Sequence, residues 1–182
     1  MNIREILQRQ QVQNYDGKPF VPYHCLVDTF KRDTILGLIE SAKTIPFHRR
    51  QELADAVLSQ GLKLFTILVH MDKLEVLERF LERDNFNPRH YDSKLPLEEV
   101  SLIEIFGESD RDAANEFLST QWTYLPPLFA KDQSCRKLDS RVVLPFEQAD
   151  KPKLASQGNF GAISIVQVYG SSSDPSSKVC PV

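Results

Sequence analysis

Two glycines close to the carboxyl terminus are the residues most suggestive of chemistry. Gly158 and Gly161 flank an Asn-Phe pair, and the β-prone run Ile163–Val168 follows them. A glycine-containing turn between two strands can place backbone N–H groups over the phosphates of a nucleotide, because the missing side chains allow close approach. The same glycines fit an ordinary hairpin whose turn merely needs them, and that alternative is the commoner one.

Other chemistries have less support in the residue pattern. The cysteines and histidines lack the short spacings typical of a zinc site or a disulfide framework: Cys25, Cys135, Cys180, His24, His48, His70 and His90. We therefore predict reduced, structural thiols and no metal site. Glu98, Glu99 and Glu104 are interpreted as a solvated acidic face, since no partner residue defines a cleft. An unrelated small enzyme ranks last, because no nucleophile, base or ligand constellation supports it.

Composition narrows the class of protein. The chain has 182 residues, 41% of them hydrophobic, and a net charge of -3, with acidic and basic residues interspersed. A core of ordinary size is expected, and no basic patch predicts nucleic acid or an anionic membrane as partner. The longest apolar run, around Leu64 to Val69, is too short to span a bilayer, and no signal peptide is recognised. We expect an intracellular protein.

A helical region must position the glycine turn, and its centre is predicted at Gly61–Leu81. Apolar residues lie on nearly every side of a helix from Leu62 to Val69, which is typical of a helix covered by its neighbours. Asp72 and Glu75 resemble a capping box that starts a second helix. Gly61 is predicted to end the helix before it.

The remaining capping residues and prolines predict where the helices stop and a strand begins. Ser109 with Asp112 resembles another capping box, ahead of a helical stripe that ends before Pro126 and Pro127. Beyond a polar loop, Val142–Leu144 is predicted to be a short strand. The change from helix to strand falls near residue 140.

The chain also resembles a known family. Four stretches carry the resemblance: Lys63–Leu81, the LPL at Leu95–Leu97, Phe117–Phe129, and the VVLPF of Val142–Phe146 leading to GNFGAISIVQV. As an ordered set from about Phe20 to Val168, they resemble the amino-terminal portion of fungal protein kinase-like proteins. In that family a Gln-Trp pair and a Leu-x-Pro-x-Phe element precede a strand ending in Leu-Pro-Phe. The corresponding residues here are Gln121, Trp122, Leu125, Pro127 and Phe129.

The resemblance implies a nucleotide-binding loop. The kinase pattern GxGxFGxV falls on Ser156, Gly158, Phe160, Gly161 and Ile163, with serine replacing the first glycine and isoleucine the valine. Family membership implies ATP, magnesium and Ser/Thr phosphorylation. The sequence has no counterpart of the VAIK lysine, the HRD loop or the DFG aspartate, so we expect a truncated or degenerate relative, inactive by itself. No cofactor is expected for this chain alone.

The expected fold is mainly α: a helical bundle followed by a short β segment resembling the first strands of a kinase small lobe. The predicted divisions are an N-terminal helix and connector (1–19), a helical accessory domain (20–130), partial small-lobe strands with the Gly-rich loop (141–169) and a disordered tail (170–182). The alternative function is a non-catalytic helical module that binds a partner protein. That alternative predicts an exposed apolar groove beside residues 62–81.

Overall fold

The computed structural model describes residues 2–83, 91–127, 138–146, 153–158 and 161–165. Within these ranges the protein is mainly helical with short antiparallel β segments, which confirms the predicted fold class at that level. The helices are α1 Ile3–Arg9, α2 Tyr23–Thr29, α3 Arg32–Ala42, α4 Arg50–Ala56, α5 Leu62–Met71, α6 Leu77–Arg83, α7 Glu99–Phe106 and α8 Arg111–Tyr124. The strands are β1 Val12–Gln13, β2 Pro19–Phe20, β3 Lys153–Gly158 and β4 Gly161–Ile165.

Helix α5 is the centre of the core, as its sequence predicts. Its side chains are buried except those of Lys63 and His70, and α1, α2 and α8 pack against it. The one polar side chain that is fully buried within α5, Thr66, donates a hydrogen bond to the Leu62 carbonyl at 2.6 Å. The buried Thr66 hydroxyl is therefore hydrogen-bonded.

The prediction that Gly61 ends a helix is wrong. Helix α4 continues through a π-helical turn at Val57–Gly61 directly into α5. Gly61 is instead explained by packing, because a Cβ there would lie 3.2 Å from Cδ2 of Tyr91. By length and composition alone the stretch Phe47–Met71 could cross a membrane, but 67% of its most apolar window is buried in the fold, which makes this weak evidence for a span.

A carboxylate from a distant part of the chain caps the start of α5. Asp92 accepts hydrogen bonds from the backbone N–H groups of Lys63 at 3.0 Å and Leu64 at 3.1 Å. Both residues lie just after the π-helical turn, where the regular hydrogen-bond pattern of an α-helix is interrupted, and the Asp92 carboxylate provides an acceptor there. Burial raises the pKa of Asp92, although the donated hydrogen bonds oppose that shift.

The capping box predicted at Asp72 is also wrong. Asp72 has φ 59° and ψ 37°, which is the left-handed conformation, and it closes the C-terminus of α5. Its carboxylate pairs with Arg4 at 3.2 Å, and α6 begins only at Leu77, after a 3-10 turn. Aspartate adopts this conformation more readily than most residues, so it suits a helix end as well as a helix start.

The capping box predicted at Ser109 and Asp112 does not form either. Helix α8 begins at Arg111 after a 3-10 turn, and Asp110 occupies the N-cap position without a capping side-chain hydrogen bond. The Asp110 carboxylate instead accepts a hydrogen bond from Nζ of Lys73 at 2.9 Å. A tertiary ion pair has thus replaced a local cap. The helical stripe predicted to follow is confirmed in α8.

Candidate functional site

The predicted glycine turn lies in a β-hairpin. Strands β3 and β4 pair antiparallel, with Gly158 opposite Gly161 at the closed end and Ser156 opposite Ile163. The register is irregular between Leu154 and Ser156, as at a β-bulge. The hairpin itself is therefore confirmed, and it is common to the phosphate-binding and the purely structural interpretations of these glycines. Phe160, the fifth predicted site residue, lies outside the described residues.

The register brings four of the five predicted residues onto one face. Positions two apart on a strand share a face, and so do directly paired positions on neighbouring antiparallel strands. Ser156 and Gly158 on β3 therefore share a face with their partners Gly161 and Ile163 on β4. At the closed end this face consists of two glycines, so no Cβ atom stands between the backbone and an approaching ligand.

The residues present fit a phosphate group better than a metal ion. Backbone N–H groups beside paired glycines are suitable partners for phosphate oxygens. Magnesium requires carboxylates, and neither described strand contains an acidic residue. In the part of the chain that the structure describes, no group of three His, Cys, Asp or Glu side chains could hold a metal ion.

The approach segment, residues 138–146, precedes the hairpin and is anchored to the helical region. The buried Asn14 side chain donates from Nδ2 to the Leu144 carbonyl at 3.2 Å, and its Oδ1 accepts from the N–H groups of Asp16 and Lys18. The rings of Tyr15 and Phe146 stack with centroids 6.1 Å apart.

This anchoring explains an error in the sequence analysis. Val142–Leu144 was predicted to be a strand, but the structure assigns no strand to these residues. The Leu144 carbonyl is taken by the Asn14 side chain and by the N–H of Phe146 at 2.8 Å, rather than by a neighbouring strand. The apolar residues of Val142–Leu144 reflect the burial of Val143 and not a strand.

A small hydrophobic cluster holds the same segment against α8. It consists of Phe20, Trp122 and Val143, and it is separate from the core around α5. The guanidinium of Arg141 lies over the Trp122 ring at 4.8 Å, a cation–π contact. Arg141 also pairs with Asp139 at 2.9 Å, and this contact lowers the pKa of Asp139 to about 2.

Gln121, the neighbour of Trp122, has a different structural role. It is fully buried, and its side chain accepts from the Leu97 N–H at 2.9 Å and donates to the Leu97 carbonyl at 3.0 Å. The amide thereby satisfies both backbone groups of a residue next to the cis Leu95–Pro96 peptide. The Gln-Trp pair thus joins the LPL stretch through one residue and the VVLPF stretch through the other.

A third contact joins α5 to the same turn of α8. Nδ1 of His70 and the hydroxyl of the buried Tyr124 share a hydrogen bond of 2.7 Å. Burial and the Arg4 guanidinium lower the pKa of His70, whereas Glu116 raises it; burial also raises the pKa of Tyr124.

Together the contacts of Gln121, Trp122 and Tyr124 link all four stretches of the family resemblance through α8, and their role is structural. The sequence signal that could have indicated this structural role is the Gln-Trp pair, a polar residue within the apolar stripe of α8.

Among the described residues the other sequence candidates form no site; His90, Cys135 and Cys180 lie outside these residues. Glu98, Glu99 and Glu104 are exposed, which confirms the predicted solvated face. The Cys25 sulfur lies 3.4 Å from Nε2 of His24, and burial raises the pKa of the thiol, which disfavours the reactive thiolate. Neither set forms a catalytic constellation.

Comparison with known proteins adds no family assignment. No protein-family model, no curated protein and no solved structure matches this chain. The interpretation of the site therefore depends on the residues and contacts described above.

Proposed function

We propose that this chain combines a helical accessory region with the glycine hairpin of a kinase-like small lobe, related to fungal protein kinase-like proteins, and that the hairpin contacts nucleotide phosphates. The observation that carries the proposal is the pairing of Gly158 with Gly161 at the closed end of the hairpin. This pairing puts Ser156 and Ile163 on the same face as both glycines, in the order of the kinase loop pattern.

The contacts around α8 support the same proposal. Gln121 joins the Leu97 backbone, and Trp122 packs in the cluster with Val143, so residues of the family resemblance meet in space. The helical region thereby fixes the approach segment, which is the chain immediately before the hairpin. An accessory region that fixes the start of a kinase-like sheet would require contacts of this kind.

The proposed activity is binding and not phosphoryl transfer. Transfer of phosphate needs groups that hold magnesium, orient the acceptor hydroxyl and neutralise charge. The 182 residues contain no counterpart of the VAIK lysine, the HRD loop or the DFG aspartate. A hairpin without these groups provides backbone hydrogen bonds alone, so we expect weak affinity, with a Kd of about 1 mM or roughly −4 kcal/mol.

Saturation-transfer difference NMR, titrated with ATP in the presence of magnesium, tests the proposal, because this method detects ligands that bind with millimolar affinity. We expect saturable binding to the purified chain, weakened about tenfold in Gly158→Val and Gly161→Val, which is about 1.4 kcal/mol. Gly37→Val is the matched control, because Gly37 lies exposed in α3 and a Cβ there meets nothing within 4 Å. Equal affinity in all three variants, or no saturable binding to the wild-type chain, would contradict the proposal.

The alternative, a helical module that binds a partner in a groove beside residues 62–81, has less support. The side chains of α5 that would form such a groove are buried by surrounding helices. Two further side chains on the neighbouring stretch, Val76 and Leu77, are also buried. An open pocket does border this stretch at Val69, Asp72 and Glu75, but its lining also includes Arg4 and Ser41, so it is not the apolar groove that the alternative predicts.

A further inference from the structure

The turn between α3 and α4 displays the most exposed large hydrophobic side chain among the described residues. Phe47 is 80% exposed, followed by Val100 at 69%, whereas the other phenylalanines whose side chains are described are buried. Phe47 stands at the start of a 3-10 turn, directly after Pro46. Exposure of a whole phenyl ring loses about 1.5–3 kcal/mol of transfer free energy relative to burial, so a structural role for this ring is hard to assign.

The exposure of Phe47 is imposed by its surroundings. The preceding Ile45 is buried, and Arg50 donates from Nε to the Ile45 carbonyl at 3.0 Å. The Arg49 N–H bonds to the Pro46 carbonyl at 3.0 Å, which closes the turn. The Arg50 guanidinium also lies 5.7 Å from the centre of the Phe47 ring. The ring is therefore held away from the core by a turn that is itself fixed on both sides.

The sequence stretch that carries Phe47 differs in the sign of its charge from the whole chain. The stretch 43–50, KTIPFHRR, carries three Lys or Arg residues and no acidic residue, whereas the chain has a net charge of -3. Arg49 pairs with Glu78 at 3.6 Å. Arg50 contacts a carbonyl and a ring, and no carboxylate in the part of the chain that the structure describes. Lys43 is exposed at the end of α3.

We propose that this surface, Lys43 to Arg50, binds an acidic segment of a partner protein that also carries an apolar side chain. The apolar side chain packs on the Phe47 ring, and the carboxylates meet Lys43 and Arg50. Aromatic and arginine side chains are the residues that most often carry interface energy, and charge complementarity selects an acidic partner. This surface is separate from α5 and from the glycine hairpin, so the inference does not depend on nucleotide binding.

An anionic membrane fits the same surface less well. Each Lys or Arg near a charged bilayer contributes only about 1 kcal/mol of binding free energy, so a few cations and one aromatic ring give weak attachment. Stable anchoring of a protein to a membrane usually needs two signals. Phosphatidylserine vesicles therefore belong in the test as the competing outcome.

Selection from a displayed library of random 16-residue peptides tests the inference. The wild-type chain is the target, and Phe47→Ser and Val100→Ser are the comparison targets, all checked for native folding by circular dichroism. We expect the peptides selected on wild type to be enriched in Asp and Glu and to contain a large apolar residue. The tightest peptide, synthesised, should bind Phe47→Ser at least tenfold more weakly, Lys43→Glu several-fold more weakly, and Val100→Ser equally well.

Four results would overturn the inference. Selected peptides could lack acidic enrichment, or Phe47→Ser could bind the synthetic peptide as tightly as wild type does. Recovery of no peptide would also contradict it. Sedimentation with vesicles of phosphatidylserine and phosphatidylcholine provides the fourth result. Vesicle binding that Phe47→Ser abolishes, without peptide binding, would identify a membrane as the partner in place of an acidic protein.

Discussion

Two regions of this protein are stabilised by different kinds of interaction. The helical core around α5 consists of apolar side chains from most of the described helices, packed on every side of one helix. The approach segment is held by a separate cluster of three buried residues and by single contacts, including the Asn14 amide and the Arg141 guanidinium. A large apolar core tolerates the loss of one polar contact, whereas a segment held by a few specific contacts does not. The two regions should therefore respond differently to mutation.

The largest effect is expected in the helical core. Phe65→Ala removes a fully buried ring that packs edge-on against Phe30 with centroids 5.6 Å apart. The free energy of unfolding should fall by about 3–5 kcal/mol, because a cavity is left in a packed interior. Urea denaturation followed by circular dichroism measures this. Phe47→Ala is the matched control and should change stability by less than about 0.5 kcal/mol, since the ring is exposed; similar losses in both variants would contradict the assignment of the core.

A smaller loss is expected where the LPL stretch meets α8. Gln121→Leu leaves the N–H and the carbonyl of Leu97 without their partner, which should cost about 2 kcal/mol in unfolding free energy. The same denaturation experiment applies. Gln60→Leu, at an exposed position, should be nearly neutral. A neutral Gln121→Leu would show that water or a rearranged backbone replaces the side-chain amide.

In the approach segment the effect should be local. Asn14→Ala removes the hydrogen bond to the Leu144 carbonyl and two within the β1–β2 turn, at a cost of about 1–2 kcal/mol. Hydrogen exchange should accelerate at residues 142–146, while the amides of α5 keep their protection. Asn115→Ala, exposed on α8, should leave both unchanged. Equal acceleration in α5 would mean that the two regions unfold as one unit.

The smallest effect concerns pH. Burial and Arg4 lower the pKa of His70 in the folded protein, so the unfolded chain binds more protons as the pH falls below about 6.5, and stability is lost in that range. His70→Gln should reduce the decrease in unfolding free energy between pH 7 and pH 5. His48→Gln, on the exposed turn, should retain the wild-type slope. An unchanged slope in His70→Gln would assign the pH dependence to other groups.

The same comparison explains which parts of the fold could be predicted from the sequence. Helix α5 and the apolar stripe of α8 were predictable because burial leaves a periodic pattern in the residues themselves. The capping box at Asp72 was wrong because Asp72 ends α5 in the left-handed conformation and its carboxylate pairs with Arg4. The box at Ser109 was wrong because α8 begins later, with Asp110 at the N-cap and its carboxylate paired with Lys73. A local sequence pattern does not show which side chain from another element will pair with a carboxylate.

The candidate site shows the same limit. The hairpin at Gly158 and Gly161 was predictable from glycines between β-prone residues, but its register, which places Ser156 and Ile163 on their face, was not. The error at Val142–Leu144 has the same origin, since a strand pattern and a buried extended segment use the same residue types. The partner of the Leu144 carbonyl, the Asn14 side chain, is 130 positions away in the sequence, so a local pattern does not show it.

The central claim is that the glycine face of the hairpin contacts nucleotide phosphates. Two-dimensional ¹⁵N NMR of the purified chain, titrated with magnesium-ATP and separately with adenosine, tests it most directly. We predict that the amide signals of Gly158 and Gly161 shift with magnesium-ATP and not with adenosine, since the proposed contacts are to phosphate oxygens. Shifts of equal size with both ligands, or shifts confined to the helical region, would contradict the claim.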